Sequence, residues 1–202
     1  MSASIWNEAF RLMLASGSAT RRRLLEAAGL PFEVAAADVD ERALEAAMPG
    51  AAPDELALAL ARAKALSAKA PGALVVGADQ VLSLDGRLFH KSATREQGLA
   101  TLSALSGRTH RLTSAFAIAR DGEILACGAE SAEMTMRALD AAALGLYLDV
   151  AGPGALGSVG VYQWEGVGAH LFARVEGDHS TILGLPVLKL LAALRGLGAL
   201  RL

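Results

Sequence analysis

Short apolar runs alternate along this chain with longer segments that follow helical spacing, and this alternation limits the folds it can adopt. Residues 11–15 and 74–76 are apolar runs typical of buried strands. Residues 20–28 and 54–69 place leucine and alanine at helical intervals, with Gly29 as a stop signal after the first of them. Strands that alternate with helices usually form one sheet covered by helices. The pattern predicts an α/β fold.

Two Asp-Gly pairs in the middle of the chain predict β-hairpins. Asp85-Gly86 and Asp121-Gly122 each separate two strand-like runs, and this dipeptide is typical of two-residue hairpin turns. Hairpins add antiparallel strands, so we expect a mixed sheet. A closing helix is predicted over residues 187–195. No repeat, linker or change of composition divides the chain, so we expect a single domain over residues 1–202.

The charge balance and the cysteine content indicate which partners and which cellular compartment to expect. The 19 basic and 21 acidic residues leave a net charge of −2, which gives no reason to expect a nucleic-acid polymer or an anionic membrane as partner. Cys127 is the sole cysteine and excludes an internal disulfide, so a reducing compartment is expected. Residues 1–11 lack the pattern of a signal peptide, and no uncharged apolar run reaches the roughly 18 residues of a membrane span. We therefore predict a soluble, cytoplasmic protein.

The segment from residue 14 to residue 23 is the first candidate site. It joins a strand to a helix start through a turn rich in hydroxyl groups and arginines. Ser16, Ser18, Arg21 and Arg22 would offer a phosphate hydroxyl, guanidinium and helix N-terminal donors. An ordinary helix cap followed by a solvated basic face explains the same residues equally well.

Asp79 is the second candidate, because it follows a buried strand in Gly77-Ala78-Asp79. A carboxylate beyond a strand end can hold a cation or take a proton from water, although a turn-forming aspartate is the commoner case. Lys64 and Lys91 would offset phosphate charge, although isolated lysines are usually solvated.

Two further groups of polar residues are candidates. The acidic cluster of Asp38, Asp40 and Glu41 suits Mg²⁺, and a plain acidic loop explains it equally well. Residues 162–166 combine tyrosine, tryptophan, glutamine and glutamate, which suits a pocket for a nucleobase.

These segments, in this order, resemble the Maf family of nucleotide pyrophosphatases. The first matching motif, at residues 14–25, is Leu-Ala-Ser-x-Ser followed by two arginines and Leu-Leu, with Thr20 in place of the first arginine and Arg21 as the second. The others are Ala-Arg-Ala-Lys-Ala at 61–65, Gly-Ala-Asp at 77–79, Leu-Ser-Gly with His110, and Gly-Leu-Pro at 184–186. The resemblance implies an elongated mixed β-sheet flanked by helices, with two lobes around a central cleft, as in Maf and inosine triphosphatase-like proteins. It also implies a homodimer and cleavage of a nucleoside triphosphate to the monophosphate and pyrophosphate.

The resemblance also implies roles for particular residues. Asp79 falls on the catalytic carboxylate of the family, with Lys64 and Lys91 as charge-balancing lysines. Ser16, Ser18 and Arg21 would bind phosphates. A divalent cation (Mg²⁺, Mn²⁺ or Co²⁺) would be held by Glu33, Glu41 and Asp79.

Substrate choice in the family is associated with three positions that fall on Thr20, Gln80 and Glu165. Glutamine and glutamate at the last two resemble members that prefer 7-methyl-GTP, which carry tryptophan at the first. Trp164 or Tyr162 is a candidate replacement for that ring. The sequence departs from the family pattern at Ala19, Ser92 and Ser158. A dTTP/UTP pyrophosphatase and a catalytically weak nucleotide-binding regulator of septum formation are the alternatives.

Overall fold

The computed structural model describes residues 4–202, and a seven-stranded mixed sheet runs through it. The strands are β1 (Leu12–Ala15), β2 (Glu33–Ala35), β3 (Leu74–Leu84), β4 (Arg87–Phe89), β5 (Thr109–Arg120), β6 (Glu123–Met136) and β7 (Phe172–Glu176). Their order across the sheet is β2-β1-β3-β5-β6-β7, with β4 paired to β3. Strand β1 is parallel to β2 and β3, and every other pairing is antiparallel. The predicted α/β fold with a mixed sheet is confirmed.

Seven α-helices accompany the sheet in the described part of the chain. They are α1 (Ala19–Ala27), α2 (Glu41–Ala46), α3 (Pro53–Ser67), α4 (Arg95–Leu105), α5 (Ala141–Ala151), α6 (His179–Ile182) and α7 (Val187–Gly196). Three short 3-10 helices lie between α5 and β7. Helices α1, α3 and α7 and both hairpins were predicted from the sequence, whereas α2, α6 and β7 were not. Within residues 4–202, no helix is both long and apolar enough to cross a membrane.

Both predicted hairpins have the backbone that their sequence demands. Asp85 and Gly86 have φ of 49° and 78°, and Asp121 and Gly122 have φ of 51° and 86°. Positive φ at both central residues is the signature of a type I′ turn, whose twist matches that of the flanking strands.

Strand β3 corrects one prediction about the position of Asp79. The strand does not end at Val76 but continues through Gly77, Ala78 and Asp79 as far as Leu84. Position 77 requires glycine because α3 lies almost on the strand backbone there: a Cβ on Gly77 would be 2.2 Å from the carbonyl oxygen of Ala61. Asp79 is therefore a mid-strand residue, and its interpretation as a turn former is wrong.

A gap in the sheet lies beside the middle of β3. The pairing of β1 with β3 ends at Ala15 and Gly77, and the pairing of β4 with β3 begins at Leu82 and Phe89. Between these points, residues 78–81 of β3 have a strand neighbour only on the β5 side. The gap leaves room for side chains and a ligand at the centre of the sheet.

Apolar clusters on either side of this gap form two lobes. One cluster contains Leu74, Val76 and Ala78 of β3 together with side chains of β1, α1 and α7. The other contains Leu82 and Leu84 of β3 together with side chains of α4, α5 and β6. The predicted arrangement of two lobes around a central cleft is confirmed.

Candidate functional site

The cleft at the gap consists of two adjoining cavities of about 360 and 550 Å³. These volumes are in the range of pockets for small molecules and cofactors. Both cavities are bounded by the β1–α1 turn, α2, α3, the residues after β4 and the first 3-10 helix. Nearly all the site residues predicted from the sequence line the cleft, namely Ser16, Ser18, Thr20, Arg21, Glu41, Lys64, Asp79, Gln80 and Lys91. Segments far apart in the chain thus meet at one place.

Lys64, Asp79 and Glu41 form a charged group at the base of the cleft. The Lys64 Nζ lies 2.5 Å from Asp79 Oδ1 and 2.6 Å from Glu41 Oε1. Lys64 and Asp79 are buried, whereas Glu41 is exposed. Partial burial acts to raise the pKa of Glu41, but the hydrogen bond and charge of Lys64, helped by Lys91 and Arg21, hold that pKa below its usual value. One ammonium group therefore sits between two carboxylates, each with a second oxygen available to a ligand.

The close packing of α3 on β3 explains why this group forms. Residues 77, 79 and 81 of β3 point to the same face, because side chains alternate along a strand. Gly77 lets α3 approach that face, and Lys64 is on the side of α3 that the sheet buries. The same close packing brings the Lys64 ammonium to the Asp79 carboxylate.

Arg21 lines the cleft and donates hydrogen bonds to three separate segments of the chain. Its Nε donates to the carbonyl oxygen of Gly184 (2.7 Å), and its Nη1 donates to Ala78 O (2.9 Å) and Ser16 Oγ (3.2 Å). The Ala78 carbonyl lies in the gap where no strand pairs with it. Burial lowers the pKa of Arg21, and the charges of Asp79 and Glu41 act in the other direction. Three of its five N–H donors are thus used inside the protein, which leaves the two at Nη2 for a phosphate.

The serines of the β1–α1 turn have structural roles as well. Ser18 is the N-cap of α1 and accepts a hydrogen bond from the Arg21 backbone N–H, while Ser16 Oγ accepts one from the Ser18 backbone N–H. The helix-cap interpretation therefore holds for Ser18. It is compatible with ligand binding, because the capped helix directs its N-terminus at the cleft that Ser18 and Thr20 line.

Two predicted site residues lie outside the lining of the cleft. Glu33 is on edge strand β2, exposed, and paired with Arg11 at 3.2 Å. Its place in the metal set is not supported, because the register puts it beside Met13, before β1 reaches the cleft. Glu165 accepts a hydrogen bond from Arg23 (3.0 Å), whose Nη2 is also 3.4 Å from the hydroxyl of Thr20. Glu165 thus connects to the cleft rim through Arg23.

The aromatic candidates differ in availability. Tyr162 is buried, its hydroxyl 2.6 Å from His110 Nε2, so it cannot stack on a base in the cleft. Trp164 is half-buried against Phe172 and donates to His179 Nδ1 at 3.3 Å. Trp164 therefore lies near Glu165 and His179, and not in the lining of the cleft.

Helix α2 contributes residues that sequence inspection missed. Arg42 and Glu45 line the cleft beside Glu41, and His90 lies opposite with its Nε2 3.5 Å from Glu45 Oε1. The acidic residues 38–41 had a plain loop as their alternative interpretation, and no helix was predicted there. The helix that places Arg42 and Glu45 beside Glu41 was therefore missed. Asp40 caps this helix by accepting from the Ala43 backbone N–H.

The carboxylates of the cleft fit a metal ion that arrives with a phosphate ligand. No group of three or more His, Cys, Asp and Glu side chains with the geometry of a metal site occurs within residues 4–202. Glu41 and Asp79 nevertheless share one cation, the Lys64 ammonium, and both line the cleft. Mg²⁺ is commonly held by one or two carboxylates together with waters and phosphate oxygens. Glu41 and Asp79 match that donor set, whereas Glu33 does not line the cleft.

One family model and several curated proteins are similar to this chain over nearly its whole length. The family model described as Maf-like protein matches residues 11–197. A nucleoside triphosphate pyrophosphatase of Bradyrhizobium diazoefficiens is 51% identical over 95% of this chain and 96% of its own length. A 7-methyl-GTP pyrophosphatase of Mesorhizobium japonicum is 52% identical over 94% of this chain and 98% of its own length. A 7-methyl-GTP pyrophosphatase of Brucella abortus is 50% identical over 92% of this chain and 95% of its own.

Proposed function

The chain belongs to the Maf-like family, and from that premise we propose that it hydrolyses nucleoside triphosphates between the α and β phosphates to the monophosphate and pyrophosphate. Relatives that share about half of its residues over nearly their whole length are named as nucleoside triphosphate pyrophosphatases. The observation that carries the proposal is the buried Asp79 carboxylate, which lies with Lys64 and Glu41 in a cleft walled by the Arg21-bearing turn.

Asp79 is the proposed general base. Lys64 donates to Oδ1, so Oδ2 keeps two lone pairs, one to accept a proton from a water molecule and one to offer a divalent cation. The deprotonated water attacks the α-phosphorus, the bond from that phosphorus to the bridging oxygen breaks, and pyrophosphate leaves with the bridging oxygen. The proton stays on the Asp79 carboxyl until it is released to solvent.

Phosphate charge is offset by the cations that line the cleft. Lys91 and Arg42 are exposed there, and neither forms an ion pair with a carboxylate among residues 4–202. The N-terminus of α1 and the two Nη2 hydrogens of Arg21 are further donors. Glu41 and Asp79 would hold a divalent cation, which when bound polarises the phosphates and neutralises part of their charge.

We propose a modified guanine nucleotide such as 7-methyl-GTP as the preferred substrate. Glutamine at position 80 and glutamate at position 165 support this preference, as do relatives named 7-methyl-GTP pyrophosphatase. Both side chains offer oxygen acceptors, and the Watson–Crick edge of guanine presents paired N–H donors. A dTTP/UTP pyrophosphatase is the alternative within the same enzyme class, and the two specificity constants decide between them.

A catalytically weak nucleotide-binding regulator of septum formation is the second candidate. Ser158 favours it, because it lines the cleft without charge at a position where the family pattern has lysine. Nucleotide binding without turnover, together with a division phenotype that survives Asp79→Asn, would support this candidate over the enzyme. A cytoplasmic location and a homodimer complete the proposal, the first because a single cysteine suits a reducing compartment.

Pyrophosphate release from a panel of canonical and methylated triphosphates with Mg²⁺, Mn²⁺ or Co²⁺ tests the enzyme. We expect turnover by the wild type and a loss of about 10²- to 10⁴-fold in Asp79→Asn, the usual contribution of a general base. Asp149→Asn is the matched control, because Asp149 is exposed on α5, pairs with Arg95 and does not line the cleft. If the folded wild type releases no pyrophosphate from any triphosphate of the panel, the proposal is refuted. Near-normal turnover of Asp79→Asn would refute the assignment of Asp79 as the general base.

A further inference from the structure

The segment of residues 158–163 connects the lobe that contains α4 and α5 to the lining of the cleft. Its backbone is strained in the middle, because Gly160 and Val161 both have positive φ, of 79° and 63°. Glycine adopts this conformation readily, whereas a β-branched residue does so at a cost. Val161 is completely buried, so the surrounding structure must hold it in place. Strain that a fold retains in this way is concentrated at sites with a function.

Buried aromatic side chains hold the segment from inside the lobe. The hydroxyl of Tyr147 donates to the carbonyl oxygen of Val161 at 3.1 Å. The hydroxyl of Tyr162 lies 2.6 Å from Nε2 of His110, and the ring of Phe172 packs edge-on against that of Tyr162 at 4.8 Å between centroids. His110, Tyr147 and Tyr162 are all buried. Two hydrogen bonds that water does not reach therefore fix residues 161 and 162.

The pair of His110 and Tyr162 is neutral and leaves one ring nitrogen unpaired. Burial lowers the pKa of His110 to about 4 and raises the pKa of Tyr162, so neither group is charged at pH 7. Nδ1 of His110 is buried and has no hydrogen-bond partner within residues 4–202. If Tyr162 donates to Nε2, the N–H at Nδ1 is the one group left unpaired, whereas the reverse direction would also strand the phenol hydrogen. The phenol therefore donates to the imidazole.

The outer end of the segment brings Gln163 to the cleft. Tyr162 has an extended backbone, with φ of −140° and ψ of 151°, so its side chain and that of Gln163 leave the chain on opposite sides. The main chain of Gln163 is packed closely, because a Cβ on Gly168 would be 2.5 Å from its carbonyl oxygen. Its Nε2 donates to the carbonyl oxygen of Gly154 at 3.3 Å. The second hydrogen of Nε2 remains available to a ligand.

Gln163 lines the larger of the two cavities, whose lining is rich in cationic side chains. Arg21, Lys64 and Lys91 line the same cavity of about 550 Å³, and with the β1–α1 turn they suit a phosphate. Residues 154–163 add no charge to this lining: their polar side chains in it are those of Ser158 and Gln163. An amide N–H in such a place suits an oxygen of an anion that the cations have already attracted.

We propose that the second Nε2 hydrogen of Gln163 binds an oxygen of the triphosphate tail, and that His110 is a positioning residue that acts on Gln163 through Tyr162. The hydrogen bond to His110 fixes the phenol ring, and the extended backbone transmits that position to the next residue. A side chain that is fixed before the ligand arrives loses less conformational entropy on binding. The proposal rests on the proposed function only for the identity of the phosphate tail.

Inorganic pyrophosphate with Mg²⁺ is the probe, because it resembles the tail without the nucleoside. Calorimetry is expected to show about tenfold weaker binding to Gln163→Leu than to the wild type, the effect of losing one hydrogen bond to a charged group. Gln163→Glu should weaken binding further, since its carboxylate repels the anion. Gln97→Glu is the matched control: Gln97 is exposed on α4, lines neither cavity, and as glutamate still accepts from the Ala93 backbone N–H. Equal affinity in the wild type and Gln163→Leu, or equal losses in the two glutamate variants, would overturn the proposal.

The role of His110 has a separate test in the same assay. His110→Leu removes the acceptor of the Tyr162 hydroxyl and should weaken pyrophosphate binding by roughly threefold to tenfold, whereas the amide oxygen of His110→Gln should restore most of it. In the Gln163→Leu background, His110→Leu should change the affinity no further, because it acts through Gln163. Tyr162→Phe keeps the ring and gives the same comparison if His110→Leu does not fold. A purely structural role would lower stability and leave the affinity of the folded variants unchanged, and that result, or additive losses in the double variant, would remove His110 from the proposal.

Binding and turnover together separate this inference from the proposed function. If no triphosphate is hydrolysed but pyrophosphate binding depends on Gln163, the proposed function fails and the assignment of Gln163 stands. If triphosphates are hydrolysed and the affinity for pyrophosphate does not depend on Gln163, the assignment alone fails. If pyrophosphate does not bind to the folded wild type, the assignment fails whatever the turnover.

Discussion

Gly77→Ala is the substitution whose effect the structure states most directly. A Cβ at position 77 would stand 2.2 Å from the Ala61 carbonyl oxygen, 2.3 Å from the Ala65 amide nitrogen and 2.9 Å from the Ala65 Cα. Ordinary van der Waals contact with such atoms begins near 3.4 Å. Helix α3 must therefore move by about 1 Å, because the obstructing atoms are backbone and cannot rotate away.

The displacement has a cost in stability and in function. Overpacking of a core typically costs about 1–3 kcal/mol, and a clash with backbone belongs at or beyond the upper end of that range. We expect Gly77→Ala to lower the free energy of unfolding by about 3 kcal/mol or more, a large part of the roughly 5–15 kcal/mol of an ordinary protein. The same movement draws Lys64 away from Asp79, now 2.5 Å apart. Turnover of the folded variant should therefore fall as well.

Urea unfolding followed by circular dichroism measures the loss. With a denaturant slope in the usual range, about 3 kcal/mol corresponds to a fall of about 1 M or more in the midpoint. Gly196→Ala is the control, because a Cβ at that position, the last residue of α7, meets no atom within 4 Å. It should leave stability unchanged or raise it by up to about 1 kcal/mol. An unchanged midpoint in Gly77→Ala would refute the packing argument.

Two further predictions concern titration and the metal. Burial lowers the pKa of His110 from 6.5 to about 4, so protonation opposes folding and about 3 kcal/mol of stability, present above pH 6.5, is lost as the pH falls toward 4. Urea midpoints between pH 7 and pH 4 should fall less steeply in His110→Phe than in the wild type, and parallel curves would contradict this. Glu41→Gln should raise the concentration of Mg²⁺ that gives half-maximal turnover, whereas Glu33→Gln, matched in chemistry but outside the cleft, should not. Equal effects of the two glutamate variants would remove Glu41 from the metal set.

Sequence inspection succeeded where the deciding interactions are local. The Asp-Gly turns adopt positive φ because these residues tolerate it, and the turn after β1 becomes a helix because Ser18 can cap it. The short helix α2 escaped detection because six residues carry too little periodicity to be distinguished from an acidic loop. Strand β7 escaped for a similar reason, since only five residues define it.

The order of the motifs along the chain was enough to identify the family pattern and most of the residues that line the cleft. A motif is defined by residue types and their spacing, so it can be identified without knowledge of the fold. Distances between motifs were decided by the tertiary structure alone. Close packing at Gly77 brings Lys64 to Asp79, and the gap beside β3 opens the cleft around them. Strand register carries Glu33 out of that cleft although the family pattern places it among the metal ligands. Periodicity reports which face of an element is buried, whereas the contact between two elements depends on backbone atoms that meet only when the sheet has assembled.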